Sequence, residues 1–339
     1  MTNTPDQARQ AVVALVADLQ LPRQQRDLVA SMFETVVGLA LVESDLLDLK
    51  IVDTALKEMY EAFEVFRPWR AVRKVTMFGS ARTTPDDPIY VLARELAHRL
   101  AEEGWMIVTG AGPGIMAAGT EGAGRDHAFG VNIRLPHEQG ANSFIAQDPK
   151  LVEMRYFFTR KLMLIKESHG YVVLPGGFGT LDECFELLTL LQTGKAEPAP
   201  VVLVETPGGG FWHAWLRFVR DEVIARGYVS APDLGFFTIV TSVEDAVREI
   251  THYYANYHSA RWVGDLLVLR LARLPEPEAI EALNRDFADI VTSGSIRATQ
   301  PLPPERTAKD HLELARVALR FDKFSYARLR ALIDTLNQF

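Results

Sequence analysis

Cysteine is almost missing: Cys184 is the only one in 339 residues. Intrachain disulfides and cysteine-built zinc sites are therefore excluded, and its place on an apolar helical stretch marks it as a small buried side chain. No apolar run reaches the roughly 18 residues a membrane-spanning helix needs. Met1 to Gln10 lacks the basic-then-apolar order of a secretory leader, so the cytoplasm is the expected location. A cationic surplus is missing too. The 36 Lys and Arg stand against 44 Asp and Glu, a formal charge of −8, which argues against a nonspecific nucleic-acid binder, whose affinity comes from counterion release by massed Lys and Arg. The short cluster Arg67, Arg70, Arg73, Lys74 reads as a solvated junction between segments.

The common nucleotide signatures are also incomplete. Gly110 and Gly112 begin a dinucleotide fingerprint, but Ile115 stands at its third glycine, and the third strand ends in Asn132 instead of the acid that grips a ribose hydroxyl. No glycine turn is followed by Lys-Ser or Lys-Thr, so nucleoside triphosphate hydrolysis by a P-loop drops out. His137 beside Glu138 reads as a hydrogen-bonded loop pair, and no metal site is expected. A pyridoxal phosphate enzyme would need a Schiff-base lysine. Lys161 is conceivable, but Arg160 beside it would compete for the same phosphate.

With 48% hydrophobic and 24% charged residues the chain can bury a large core. Helical spacing of apolar residues runs from 5 to 66, including Val12, Val16, Leu39, Val42, Leu46 and Leu49. Phe66 to Arg70, with Pro68, marks a boundary. Short apolar runs then alternate with amphipathic helices: strands at 72–78, 105–109, 129–133, 171–174, 201–204 and 237–240, with a long loop at 135–148 followed by a helix over 151–168. This alternation predicts a Rossmann-like, doubly wound, mostly parallel α/β sheet with ligands beyond the strands' carboxyl ends. The division expected is a helical N-terminal extension (1–70), a nucleotide-binding catalytic domain (71–257) and a small α+β appendage (258–339). In the appendage the reading is strand 265–271, helix 277–290, strand 294–298, a Pro-rich linker near 301–304 and a closing helical segment from 310.

The most informative stretch is Pro175-Gly176-Gly177-Phe178-Gly179-Thr180-Leu181-Asp182-Glu183, set between the apolar run 171–174 and a helix. Gly176, Gly177 and Gly179 permit φ > 0 and close backbone approach, and the helix end offers unpaired N–H groups and positive dipole to a phosphate. Glu183 then carries an acid to within a few ångströms of the bound anion. Thr180 and Glu183 also match a capping box, in which both side chains only satisfy helix-end N–H groups. Gly79, Ser80, Gly110, Gly112 and Gly114 lie in turns at the same sheet edge and should converge with this cradle on one crevice. Ser80 and Thr180 are candidate phosphate donors. Arg160 would sit at the crevice mouth. Phe211, Trp212, Trp215 and Phe218, at helical spacing, read as a subunit interface in preference to a base-stacking platform.

These residues resemble the LOG phosphoribohydrolases, often labelled lysine decarboxylase-like, and the longer bacterial members more than the short plant ones. Pro175 to Glu183 meets the pattern P-G-G-x-G-T-x-x-E in full, and Arg160-Lys161 meets its upstream Arg-Lys pair. Gly79-Ser80, the segment Gly112 to Met116, and Leu135 to Gln139 followed by Asn142 are similar as well. The resemblance covers about residues 72 to 256 and implies hydrolysis of the N-glycosidic bond of a nucleoside 5′-monophosphate, without a cofactor, in a homodimer or higher assembly. It makes Arg160 and Glu183 the catalytic pair, with Glu138, Asn142 and Lys161 among the substrate contacts. The rival expectation is a noncatalytic carrier of a nucleotide or phosphorylated cofactor. Departures lie at Ala117, where longer members carry Glu, at Ala118 to Glu121, and at Gly110-Ala111-Gly112, where three glycines are common; they bear on substrate choice more than on reaction type.

Overall fold

The structure, a computed structural model, describes residues 5–42, 44–135 and 140–339. The chain divides into two compact units, Met1–Tyr60 and Glu61–Phe339. The first holds α1 (Pro5–Ala17), α2 (Arg23–Leu41) and most of α3 (Leu46–Phe66). Within it Val12, Val16 and Ala55 are buried.

The second unit opens with strand β1 (Lys74–Phe78), then α4 (Pro88–Glu102), β2 (Met106–Thr109), α5 (Ile115–His127), β3 (Ala128–Ile133) and β4 (Leu151–Met154). It continues with α6 (Phe157–Lys166), β5 (Gly170–Val173), α7 (Phe178–Gln192), β6 (Val201–Val204), α8 (Phe211–Phe218), β7 (Phe237–Val240) and α9 (Val243–His252). The seven strands form one parallel sheet in the order β4-β3-β2-β1-β5-β6-β7. Strands β1, β2, β5 and β6 are buried along their whole length, as expected where helices cover both faces. Helix α4 shows how local sequence serves this plan. Asp87 caps it by accepting from the Ile89 N–H, Pro88 pre-sets the first turn, and Tyr90, Ala93, Leu96, Ala97 and Leu100 form one buried stripe. Burying a leucine fully contributes about 1.5–3 kcal/mol, so the two leucines alone anchor this helix to the sheet.

After β3 the chain has wound outward to one side, and from β5 it winds to the other. The reversal lies between β1 and β5, paired from Val75↔Gly170 to Phe78↔Val173, and puts the switch point of the sheet beside the turns that follow these two strands.

The C-terminal part forms β8 (Tyr257–Val263), β9 (Leu266–Leu271), α10 (Pro277–Asp286), β10 (Arg297–Ala298), α11 (Pro303–Ala308), β11 (Ala315–Leu319) and α12 (Tyr326–Leu336). Its antiparallel sheet has the order β10-β11-β9-β8, over a core that includes Leu269, Val317, Leu329, Leu332 and Ile333. Asn337 closes the chain onto α9's end: its Oδ1 accepts from the Asn256 and Tyr257 N–H groups, and its Nδ2 donates to the Tyr253 carbonyl.

Several expectations need correction. Residues 151–154 are an edge strand and not the start of a helix, since Val152 and Met154 are buried alternately and the segment pairs with β3. The closing segment is not continuously helical, because 315–319 pairs with β9. A strand at 257–263 was not foreseen, and the Pro-rich stretch begins a short helix. Lys74, expected in a solvated cluster, is only 1% exposed.

Candidate active site

Three glycine turns meet at the switch point. The Ser80 N–H donates to the Pro175 carbonyl at 3.2 Å, and the Ser80 carbonyl accepts from the Ile115 N–H at 3.0 Å. The turns after β1, β2 and β5 are thereby tied together although the chain separates them widely. Glycine is needed for this closeness. A Cβ on Gly114, which has φ +65°, would lie 2.3 Å from the Ser80 carbonyl oxygen, and one on Gly79 would lie 2.6 Å from Ile115. Ala111 occupies the left-handed region at φ 59°, and its N–H donates to Thr109 Oγ1.

Around the cradle, Gly176, Gly177 and Gly179 do not take positive φ, so their permissiveness in that region is not what the turn uses. Space is what it uses. A Cβ on Gly176 would meet Thr180 Oγ1 at 2.3 Å, whereas Gly177 and Gly179 face open space among the described residues. Gly177 is the N-cap of α7, without a side-chain cap, and the first intrahelical bond runs from the Leu181 N–H to its carbonyl. The N–H groups of Phe178, Gly179 and Thr180 precede that bond and crown the helix end with bare backbone, the arrangement that suits an anion. Thr180 lies inside the helix and is not its cap, so the capping-box reading of Thr180 and Glu183 is overturned.

Glu183 projects from α7 to Arg160 of α6: Arg160 Nη1 donates to Glu183 Oε1 at 3.1 Å. Arg160 is 7% exposed, so it lies in the floor of the crevice and not at its mouth. Its Nε donates to the Val131 carbonyl at 2.9 Å, and its Nη2 approaches the Gly110 carbonyl at 3.5 Å. Gly110 makes the burial feasible, because a Cβ there would stand 1.9 Å from Nη2. The second carboxylate oxygen, Glu183 Oε2, has no hydrogen bond among the described residues. Burial pushes the Glu183 carboxyl above the usual range, against the opposing pull of Arg160 and Lys161, and the same burial lowers Arg160. The pair thus presents one free carboxylate oxygen of raised proton affinity, held still by a planar cation.

The other expected residues divide clearly. Asn142 spends its Nδ2 on the second turn, donating to the Ala111 and Gly112 carbonyls, while its Oδ1 accepts from Thr120 Oγ1 and the Phe144 N–H. It shapes Gly110 to Gly114. Lys161 gives its ammonium to Asp182 and Glu186 of α7, at 2.6 and 2.7 Å, so it clamps two helices where a substrate contact was expected. Ser80 Oγ accepts from the Arg82 N–H, leaving its own proton to donate. Arg82, two residues on, has no acidic partner among the described residues and went unnoticed in the sequence, where only its place after Gly-Ser could have drawn attention. Glu138 and His137 lie outside the described residues. Cys184 is buried, its thiol pushed up to about 12. In the aromatic stretch Trp212 is fully buried and meets Trp215 edge-on, Phe211 and Trp215 are partly buried, and Phe218 is exposed. Among the described residues no group of three or more His, Cys, Asp or Glu could hold a metal ion, and no helix is long and apolar enough to cross a membrane.

Comparison with known proteins bears on the family of the chain. Residues 113–250 match the family model described as "Possible lysine decarboxylase". A cytokinin riboside 5′-monophosphate phosphoribohydrolase of Mycobacterium tuberculosis is 31% identical over 163 residues, 46% of this chain and 82% of that one. A probable enzyme of the same name from Oryza sativa subsp. japonica is 28% identical over 197 residues, 56% of this chain and 75% of that one. The molybdenum cofactor carrier protein of Chlamydomonas reinhardtii overlaps 52% of this chain and 94% of its own, at 20% identity and a TM-score of 0.36. Given the full glycine-acid motif and the extent of the mycobacterial match, this chain belongs to the LOG, or lysine decarboxylase-like, family.

Proposed function

We propose that the protein hydrolyses the N-glycosidic bond of a nucleoside 5′-monophosphate, releasing the free base and ribose 5-phosphate. The observation that carries this reading is the buried Arg160–Glu183 pair beside the bare amino end of α7, with one carboxylate oxygen left unbonded. The 5′-phosphate would accept from the N–H groups of Phe178, Gly179 and Thr180, with Ser80 Oγ as a further donor, and so aim the sugar at Glu183. Breaking the bond between C1′ and the base nitrogen sends its electron pair to the base and leaves positive charge on the ribose ring. Glu183 Oε2 would steady that charge and take a proton from water as the water oxygen bonds to C1′. The proton gained is returned to the departing base or to solvent. Arg160 holds the carboxylate in place and limits how far burial raises its proton affinity.

A homodimer or larger assembly is part of the same reading, supported by exposed Phe157, Phe158 and Phe178 at the amino ends of α6 and α7; Phe178 is 94% exposed. Cytokinin riboside monophosphates are the substrates favoured by the relatives' names, and AMP-like nucleotides belong to the same proposal. Incubation with AMP, GMP, CMP, UMP and a cytokinin riboside monophosphate, followed by chromatography for free base, tests the activity. Release from one or more is expected. A nucleotide that binds and is recovered intact from every incubation would replace the hydrolase with a carrier.

A further inference from the structure

Helix α3 is apolar on more than the side it buries. Ala55, Ala62 and Phe66 are buried, and at 3.6 residues per turn they share one side of the helix. Leu49, Leu56, Tyr60 and Phe63 form a separate stripe turned away from that side, and all four are exposed, Tyr60 by 65%. Between the two, Val52 and Met59 are partly buried. A helix that meets only water carries polar residues where this stripe lies. The steps of seven, four and three residues from Leu49 to Phe63 instead keep a seam facing a second helix. Nothing in the glycine motif or the proposed hydrolysis uses it.

The charges beside the stripe say which helix fits. Its outer edge carries Lys50, Asp53, Lys57 and Glu61, all exposed and alternating in sign along the helix. Lys57 donates to Asp53 at 2.8 Å, whereas Lys50 and Glu61 have no ion-pair partner among the described residues. Reversed, the same order of signs is its own complement. An antiparallel copy of α3 laid along the stripe brings the two charged edges together, Lys50 to the partner's Glu61 and Asp53 to the partner's Lys57. The same register sets Leu56 against the partner's Leu56 and Leu49 against the partner's Phe63. A parallel copy would instead press the charged edge of one helix on the Val52 and Met59 edge of the other. Edge charges of this kind fix partner and orientation in paired helices.

We propose that two copies of this chain pair through α3, antiparallel about a two-fold axis at Leu56. Leu49, Leu56, Tyr60 and Phe63 close the seam, and the four charges bridge its edge. The contact is isologous, so one patch serves both copies. A helix pair over residues 49–63 is roughly 22 Å long and covers less than the about 1,600 Å² of a standard interface. Its association is accordingly weak and concentration-dependent. It does not rest on the proposed hydrolysis, and it is a different surface from the exposed phenylalanines of α6 and α7.

Sedimentation equilibrium of the full chain tests this, with Phe178→Glu as a common background so that association through α6 and α7 does not mask it. Self-association is expected at concentrations up to about 100 µM, and Leu56→Glu, which puts two like charges on the axis, should abolish it. Lys50→Glu and Glu61→Lys each create two like-charge contacts across the seam and should weaken association about 10-fold. Mixed in equal amounts, these two variants present matched charges to each other, so association should return. A background protein that stays monomeric throughout, association undiminished in Leu56→Glu or in either charge variant alone, or a mixture no stronger than its components would each overturn the proposal. All three positions are exposed, and circular dichroism of each variant should match the background protein.

Discussion

Arg160 and Glu183 face each other at 3.1 Å across the gap between α6 and α7, and the arginine that holds the acid is itself held by the carbonyl of Val131 at 2.9 Å. One side chain therefore joins β3, the turn after β2, and the helix that follows the glycine turn. Removing either partner leaves a largely buried charge unmatched, a loss of about 3–5 kcal/mol in such pairs.

Glu183→Gln keeps the shape and removes the charge and proton affinity. Turnover of the responsive nucleotide should fall by about 10²–10⁴-fold, the usual scale for a general base, with KM moving far less. Steady-state kinetics and a thermal melt on the same preparation separate the loss of chemistry from the smaller expected loss of stability. Wild-type turnover in the variant would remove Glu183 from the reaction.

Arg160→Lys should not rescue function, because one ammonium cannot reach Glu183 and the Val131 carbonyl in the geometry of a planar fork. Gly110→Ala should resemble it without touching the arginine's identity, since the new Cβ would meet Nη2 at 1.9 Å. We expect both to lose at least about 10-fold in kcat, equivalent to about 1.4 kcal/mol in the barrier, and retained activity in Gly110→Ala would show that the guanidinium can shift freely.

The pH profile follows from burial. With the Glu183 carboxyl raised above its ordinary value of about 4.3, kcat/KM should fall with decreasing pH through a midpoint higher than that. Arg160 pulls the midpoint down, so Arg160→Met should move the acid limb of whatever activity remains to higher pH. A limb that stays in place would detach it from Glu183.

Asn142→Ala removes an amide that supports the Gly110–Gly114 turn through two donated bonds and leaves the Ala111 and Gly112 carbonyls with one partner fewer. Unsatisfied buried groups cost about 1–3 kcal/mol each. Lower thermal stability is expected together with reduced kcat/KM, whereas a direct substrate contact would reduce affinity and leave the melt unchanged.

His169 gives the protein a distinct acid sensitivity. Its folded pKa, about 4, is below the unfolded value of about 6.5, so the neutral ring contributes stability that is fully present above pH 6.5 and lost as pH falls toward 4. The groups facing it are Lys74, Arg73 and His258. The melting temperature of His169→Gln should decline less steeply than wild type across that window. Parallel declines would exclude this histidine as the cause.

Much of the parallel sheet was legible because β-branched and apolar runs end in glycine turns, and Pro175 to Glu183 carries its glycine-lined helix start locally. Strands β4 and β11 were not legible. Leu151-Val152-Glu153-Met154 and Ala315-Arg316-Val317-Ala318-Leu319 consist largely of good helix formers, and only pairing with β3 and β9 makes them extended. Arg316 gave no warning of its burial against Glu305 either, since that ion pair forms only when α11 folds back over the sheet.

What the amino-acid order determined by itself is the alternation of strand and helix and the glycine-lined end of α7, because both depend on neighbours a few residues apart. The tertiary structure alone decided that an arginine 23 positions earlier would reach Glu183, that Lys161 would instead be spent on α7, and that Arg73, Lys74 and His169 would gather around a cavity at the far sheet edge. Those outcomes depend on which strands lie side by side and which glycines leave room, and no local spacing encodes them.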